Sequence, residues 1–115
     1  MDIQHLQNYL QAFADARDWN QFHTPKNLSM ALAGECGELL EIFQWLEPGE
    51  SMADKLGPLN RQAVKDEIAD VFIYTIRLAA ILNIDLEEVF WEKMKKNGQK
   101  YPPGEQTSGG LGFNR

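Results

Sequence analysis

Residues 60–83 read NRQAVKDEIADVFIYTIRLAAILN and contain neither proline nor glycine. Apolar side chains recur through this stretch at helical spacing, which predicts a helix from Asn60, as its cap, to about Asn83. They occupy so much of the helix circumference that one small domain cannot cover them all. The stretch therefore predicts an α-helical core and an oligomer, a dimer or a tetramer, that buries the excess apolar surface.

Three further helices follow from the residues that punctuate the rest of the chain. Proline occurs only at positions 25, 48, 58, 102 and 103, so the long stretches between these positions are open to helix formation. Thr24 followed by Pro25 is a typical helix start, and Asp85 with Glu88 forms the pattern of a capping box. The four predicted helices cover about residues 3–16, 25–45, 60–83 and 86–97.

The remaining segments are predicted to be connections. Residues 19–23 form a short connector, and residues 47–59 contain Pro-Gly and Gly-Pro pairs that are typical of a loop. No segment has the alternation of a strand, and the chain has no internal repeat. These features predict an all-α four-helix bundle in a single domain, residues 1–103, followed by a mobile tail, residues 104–115.

Two acidic motifs, ECGE at residues 35–38 and EIAD at residues 67–70, lie on the second and third predicted helices. In each motif two carboxylates three residues apart share one helix face. In an antiparallel hairpin, Glu38 and Glu67 would each lie about 10–11 Å from the turn, at ~1.5 Å per residue, so the two pairs would be level. Four carboxylates with no basic residue among them repel one another and are most easily held around a hard cation such as Mg2+ or Mn2+.

The acidic motifs have two other interpretations. A solvated acidic helix face has the same spacing, although two level pairs beside apolar residues favour a site. A di-iron carboxylate bundle also places glutamates on four helices, but it characteristically contains Glu-x-x-His pairs. The chain has two histidines, His5 and His23, and neither follows a glutamate by three residues. A redox di-iron site is therefore disfavoured.

Composition narrows the class of partner. A net charge of -6 and a pI of about 4.8 provide no basic stripe for phosphates, so nucleic acid is not an expected partner. The longest apolar run, residues 71–84, is too short to span a bilayer and is interrupted by Arg77, so no membrane association is expected. The single cysteine fits a reducing compartment, and the first residues do not form a signal peptide. The expected localisation is cytoplasmic.

Together with their surroundings, the acidic motifs resemble those of the MazG-like all-α nucleotide pyrophosphohydrolases over about residues 13–102. The resemblance is closest to the dCTP pyrophosphatase branch of that family. Besides the acidic pairs, it rests on the segments RDWNQFH (17–23), PKNL (25–28), FQW (43–45), DVxIY (70–74) and KMxxNxxxYP (93–102).

The resemblance implies Mg2+-dependent cleavage of a nucleoside triphosphate to the monophosphate and pyrophosphate. The expected substrates are dCTP or modified dCTP analogues, removed in sanitation of the nucleotide pool. Glu35, Glu38, Glu67 and Asp70 are the implied metal ligands, with Mn2+ as a substitute for Mg2+. A metal ion held in this way binds phosphate oxygens and lowers the pKa of a bound water, and Glu38 is the candidate base for that water.

The resemblance also implies two groups of substrate contacts. The base and sugar would be bound by Trp19, Phe22, His23, Trp45 and Tyr74, and the phosphates would be approached by Lys93, Asn97, Lys100 and Tyr101. Aromatic residues at such positions are equally typical of a core or of loop anchoring, and lysines near a helix end are usually solvated. Trp45 and Tyr74 nevertheless continue the two acidic helix faces, which favours a place beside the metal site.

One position departs from the family pattern. Members of the dCTP branch carry a substrate-binding histidine in the first helix, and the matching position here is Leu10. The base preference therefore stays open, with dUTP, another non-standard triphosphate or phosphoribosyl-ATP as alternatives on the same fold. A non-enzymatic alternative is a helical oligomeric regulatory module whose acidic faces bind divalent ions.

Overall fold

The computed structural model describes residues 1–104, which contain four α-helices and no strand. In chain order the helices are α1 (Ile3–Ala16), α2 (Pro25–Phe43), α3 (Pro58–Ile81) and α4 (Leu86–Lys100), with 3-10 turns at Asn20–Phe22 and Pro48–Ser51. The predicted all-α class and the first helix, residues 3–16, are confirmed. The predicted mobile tail falls, apart from its first residue, on residues 105–115, which lie outside the described part of the chain.

Side-chain caps explain where the first two helices begin. Ahead of α1, Asp2 Oδ1 accepts a hydrogen bond from the backbone nitrogen of His5 at 3.1 Å. Ahead of α2, Thr24 Oγ1 accepts from the backbone nitrogen of Asn27 at 3.2 Å. Pro25 then occupies the first helical position, where a backbone N–H would have no helical partner. The predicted start of α2 is confirmed.

The predicted start of α3 at Asn60 is wrong. The helix begins at Pro58, and its N-cap Gly57 has no side chain with which to cap it. Proline has the φ angle of a helix already, so the helix starts two residues earlier and Asn60 lies inside its first turn. At the other end, α3 stops at Ile81, and Asn83 adopts a left-handed φ of 56° that a helix cannot continue.

The fourth helix begins as predicted and ends later. Asp85 Oδ1 accepts from the backbone nitrogen of Glu88 at 3.0 Å, although the return bond of a capping box is not present within residues 1–104. The helix passes through Gly98 and ends at Lys100 rather than near Asn97. A glycine inside a helix costs only about 1 kcal/mol relative to alanine, whereas a following proline restricts Tyr101 to non-helical angles.

The chain divides into two compact units, Met1–Asn83 and a second that begins at Ile84. In the first unit, α2 and α3 share the most extensive helix–helix contact, and α1 packs on α3. The pairing of α2 with α3, expected from the acidic motifs, is therefore observed. The second unit contains α4.

The first unit buries few apolar side chains completely. The buried apolar residues are Ala14, Leu28, Ile76 and Ala79. On α3, by contrast, large apolar side chains keep between 39% and 54% of their surface exposed: Ile68, Phe72 and Ile73. The helix therefore retains an apolar surface. None of the helices within residues 1–104 has the length and apolarity needed to cross a bilayer.

Candidate functional site

Three carboxylates from α2 and α3 converge in the first unit. Glu35, Glu38 and Glu67 each offer one oxygen atom, and these three oxygens lie within 4.8 Å of one another. Glu35 and Glu38 are one helical turn apart on α2, and the contact between α2 and α3 brings Glu67 to them. All potential metal ligands of the cluster are carboxylate oxygens.

Two oxygens of this cluster are buried without a hydrogen-bond donor. Oε2 of Glu35 and Oε2 of Glu67 are both shielded from solvent, and no donor within residues 1–104 reaches either atom. A buried carboxylate oxygen without a partner is strongly unfavourable, since it loses its hydration and gains nothing in return. Such a pair of atoms is the arrangement expected where a cation completes the site.

The electrostatics of the cluster agree with this. The neighbouring Glu67 carboxylate, followed by loss of hydration, raises the pKa of Glu35 above its ordinary value. The Glu35 carboxylate in turn raises the pKa of Glu38. No basic side chain is among the causes of either shift, so within residues 1–104 the negative charge gathered here is not balanced. Oxygen donors with excess negative charge suit a hard divalent cation, so the residues present fit Mg2+ or Mn2+.

Asp70, the fourth acidic residue of the two motifs, lies one turn beyond Glu67 on α3 and is half-buried. It is not one of the three carboxylates whose oxygens converge within 4.8 Å. Its charge nevertheless contributes to the raised pKa of Glu35, so it lies within electrostatic reach of the cluster.

The predicted connector, residues 19–23, is longer in the structure, where it comprises residues 17–24 between α1 and α2, and aromatic rings cluster around it. The ring of Trp19 packs edge-on against Phe13, with centroids 5.7 Å apart, and lies 6.1 Å from the ring of His23. The Arg17 guanidinium stacks 3.4 Å from the Phe13 ring centroid. Trp19 still exposes 42% of its surface, and Phe22 is more exposed. The connector is therefore anchored while aromatic surface remains available for contact.

A buried arginine, Arg77, ties the connector to α3. Its guanidinium donates to His23 Nδ1 at 3.0 Å, to Gln11 Oε1 at 2.7 Å and to Asn20 Oδ1 at 2.9 Å. The predicted substrate-binding residue His23 is therefore fixed by a contact on its Nδ1 side, and only Nε2 remains for another partner.

The two other predicted aromatic residues lie in different settings. Tyr74 is half-buried on α3, one turn beyond Asp70. Trp45 does not continue a helix face as expected, because α2 ends at Phe43 and Trp45 lies in the turn that follows. Its side chain is 86% exposed, so it is neither a core residue nor an anchor within the described chain.

The residues predicted to approach phosphates belong to the second unit. Lys93 and Asn97 lie on α4, Lys100 is its last residue and Tyr101 its C-cap. Asn97 is buried, with its amide nitrogen 3.8 Å from the sulfur of Met94. The Lys100 ammonium lies 5.3 Å from the centre of the Tyr101 ring. The phosphate-binding role of these four residues stays a prediction.

A cavity of about 510 Å3 opens in the turn between α2 and α3. It is lined by Leu46, Gly49, Glu50, Lys55, Leu56 and Asn60. None of the predicted site residues lines it, and it contributes nothing to the carboxylate cluster.

Comparison with known proteins identifies the family. The sequence model of the MazG-like family matches residues 31–109, which include both acidic motifs. The chain belongs to the MazG-like family. Similar proteins include dCTP pyrophosphatase 1 from Rattus norvegicus and from Homo sapiens, each 47% identical over 90 residues, or 78% of this chain. Those 90 residues are 53% of each relative, so the chain spans about half the length of the curated relatives it matches.

A solved structure supports the same fold. A pyrophosphatase from Archaeoglobus fulgidus superimposes with a TM-score of 0.78 at 40% sequence identity, over 86% of this chain and 91% of that protein. The expected MazG-like fold and the resemblance to the dCTP pyrophosphatase branch are both confirmed.

In this MazG-like chain, sequence reasoning missed Arg77. The residue was treated only as a charge that interrupts an apolar run, whereas the structure shows it as the link between α3, α1 and the connector. The sequence offered one signal, because Arg77 is surrounded by apolar residues on a helix. An arginine in such a place either is buried against hydrogen-bond acceptors or extends its side chain to solvent.

Proposed function

We propose that this MazG-like chain is a Mg2+-dependent nucleoside triphosphate pyrophosphohydrolase that acts on dCTP or modified dCTP analogues. The observation that carries the proposal is the convergence of Glu35, Glu38 and Glu67, with two buried oxygens that lack a donor. The dCTP pyrophosphatases among its relatives and the pyrophosphatase of the same fold support the choice of reaction and substrate. Such an enzyme would act in the cytoplasm, on free nucleotides.

The four acidic residues have two roles, which are metal binding and activation of the attacking water. Glu35, Glu38, Glu67 and Asp70 would hold Mg2+ (or Mn2+), which prefers such oxygen ligands. When bound, Mg2+ offsets the charge of the triphosphate and lowers the pKa of a bound water. Glu38 is the exposed member of the cluster, so it is the carboxylate that a water molecule can reach. It therefore orients or deprotonates the attacking water.

The exposed aromatic residues supply the nucleoside contacts. Trp19, Phe22 and Trp45 keep much of their ring surface available. Stacking on such rings is worth about 1–3 kcal/mol per base and tolerates different bases. His23 and Tyr74 add polar atoms that can read the base or the sugar. On the second unit, Lys93, Asn97, Lys100 and Tyr101 carry the donors and cations suited to phosphate oxygens.

The functional unit is a homo-oligomer, a dimer or a tetramer. The apolar surface of α3, at Ile68, Phe72 and Ile73, supports this part of the proposal. Exposed apolar patches beyond a few hundred Å2 usually mark association surfaces. A symmetric contact between two copies is the commonest way to cover such a patch.

The test is a panel of nucleotides incubated with Mg2+ and assayed for pyrophosphate release. It contains dCTP, a 5-modified dCTP, dUTP and phosphoribosyl-ATP, each also with a chelator in place of the metal. We expect turnover of the dCTP members in Mg2+ alone. Preferential turnover of dUTP or phosphoribosyl-ATP would retain the reaction and replace the substrate. Mg2+ binding without turnover of any nucleotide would favour the regulatory module.

A further inference from the structure

Arg77 is a buried cation in the middle of α3, with 3% of its surface exposed. A charge is retained in such a place only where hydrogen bonds replace its lost hydration. All three acceptors of its guanidinium, on Gln11, Asn20 and His23, are neutral groups. They come from α1 and from the connector, so a single side chain of α3 fixes two other parts of the unit.

Asp15 carries the negative charge that compensates Arg77, and the side-chain amides of Asn20 and Gln11 link the two groups. The amide nitrogens of Asn20 and Gln11 donate to Asp15 Oδ1 at 2.6 and 2.8 Å. The amide oxygens of the same two residues accept from Arg77. These hydrogen bonds, that of Asn20 first, hold the pKa of Asp15 below its ordinary value. Both amides are therefore oriented by a cation on one side and an anion on the other.

The contact with Arg77 determines which nitrogen of the His23 ring carries a proton. A guanidinium has donors only and is not deprotonated in proteins, so the atom facing Arg77 Nε must be an acceptor. His23 Nδ1 is that atom, at 3.0 Å. A neutral imidazole with an unprotonated Nδ1 carries its proton on Nε2. Burial, and then the charge of Arg77, lower the pKa of His23, in the direction that keeps the ring neutral.

We propose that Arg77 is a positioning residue that anchors the connector on α3 and holds His23 as the Nε2–H tautomer, so that His23 meets a substrate only as a hydrogen-bond donor. The same anchor holds Asn20, the first residue of the 3-10 turn that follows Trp19, and His23, its C-cap, and the Trp19 ring lies 6.1 Å from that of His23. The role of His23 towards a substrate rests on the proposed function, whereas the tautomer of its ring does not.

The tautomer is directly measurable in the full chain by 15N NMR of histidine-labelled protein. The chain has only two histidines, and the exposed His5 is an internal reference. We expect a proton on Nε2 and none on Nδ1 of His23 at neutral pH. We also expect His23 to gain its second proton at a pH below the ordinary value for histidine. A proton on Nδ1, a mixture of the two tautomers, or a cationic ring at neutral pH would overturn the proposal.

Variants test the link to the substrate. Arg77→Gln removes both the positive charge and the planar set of N–H donors. Arg77→Lys keeps the charge but loses the three fixed donor directions of the guanidinium. Arg61, exposed on the same helix, provides the matched controls Arg61→Gln and Arg61→Lys. We expect both Arg77 variants to raise KM for dCTP, by about tenfold in Arg77→Gln, the loss expected for one charge-assisted bond, with kcat nearly unchanged. KM values equal to those of the Arg61 controls would contradict the proposal.

The readouts separate this inference from the proposed function. Should Arg77→Gln fail to fold, as judged by its circular dichroism, Arg77→Lys and the wild-type NMR measurement still decide the matter. A wild-type protein without turnover would refute the proposed function, and the tautomer of His23 would still test the anchoring by Arg77. Turnover with the wrong tautomer would refute the anchoring alone.

Discussion

Glu35 on α2 and Glu67 on α3 bring carboxylate oxygens within 4.8 Å of each other, and each buries its Oε2 atom without a donor from residues 1–104. The contact that pairs the two helices therefore carries uncompensated negative charge. Burial of the apolar helix faces brings these carboxylates together, and their mutual repulsion opposes folding. A bound divalent cation would offset this repulsion.

Removal of one charge from the cluster is expected to stabilise the metal-free protein. In Glu67→Gln, the repulsion of Glu35 is lost and the buried position becomes neutral, so the melting temperature without metal should rise by roughly 5 °C. The stabilisation that Mg2+ gives the wild type should largely disappear. Thermal unfolding followed by circular dichroism, with EDTA and with Mg2+, measures both effects. Glu92→Gln on α4 makes the same charge change outside the cluster, and equal behaviour of the two variants would contradict the account.

The stability of the metal-free protein should depend on pH in the direction set by Glu35. Its folded pKa lies above the ordinary value of 4.5, so its protonated form is favoured by folding. The stabilising contribution is complete below about pH 4.5 and is lost as the pH rises through the folded pKa. The lowered pKa of His23 acts in the opposite direction in this range, so the decline is measured as the difference between the wild type and Glu35→Gln in urea unfolding from pH 4 to pH 8, without metal. The difference should disappear in excess Mg2+, and equal slopes of the two proteins without metal would contradict the prediction.

The exposed tryptophans are expected to contribute binding rather than chemistry. Trp19→Ala and Trp45→Ala should raise KM for dCTP more than they lower kcat, because stacking is lost equally in the ground state and the transition state. The rise should be roughly tenfold or more for each. Trp91→Ala, at an exposed position of α4, is the control. A KM unchanged in both variants would remove these residues from the nucleoside site.

Part of this site follows from helix geometry and part does not. The period of a helix places Glu35 and Glu38 on one face of α2, and the pairing of α2 with α3 brings Glu67 to them. The predicted equal depth of the two motifs is wrong, because α2 ends at Phe43, five residues beyond Glu38, and α3 begins at Pro58, nine residues before Glu67. The first helix and the Thr24 cap were also predictable, because their signals are local. Asn60 was wrongly assigned as a cap because Pro58 can begin a helix without one.

The missed features depend on tertiary contacts. The acceptors of Arg77 come from positions 11, 20 and 23, and nothing in the sequence pairs those positions with residue 77. The placement of Trp45 required the last turn of α2, where helix ends are set by competing local interactions. Sequence patterns do not predict such contacts between segments that are distant along the chain.

Self-association is the fourth expectation. If the apolar surface of α3 is covered by a second copy, light scattering at micromolar concentration should give a mass of at least twice the 13.1 kDa of one chain. Phe72→Glu would place a charge on that surface and should shift the mass towards the monomer. Glu92→Lys on α4 serves as a charge-changing control. A fully active protein with the mass of one chain would contradict the oligomer.

The most direct test of the central claim is the product analysis of a dCTP digest by wild-type protein and by Glu38→Gln. With Mg2+, the wild type should release dCMP and pyrophosphate in equal amounts, and no product should form with EDTA. Glu38→Gln should retain its helical spectrum and lose at least about 100-fold in rate, the usual contribution of a general base. Orthophosphate with dCDP as the products, or a rate in Glu38→Gln near that of the wild type at saturating Mg2+, would contradict the account.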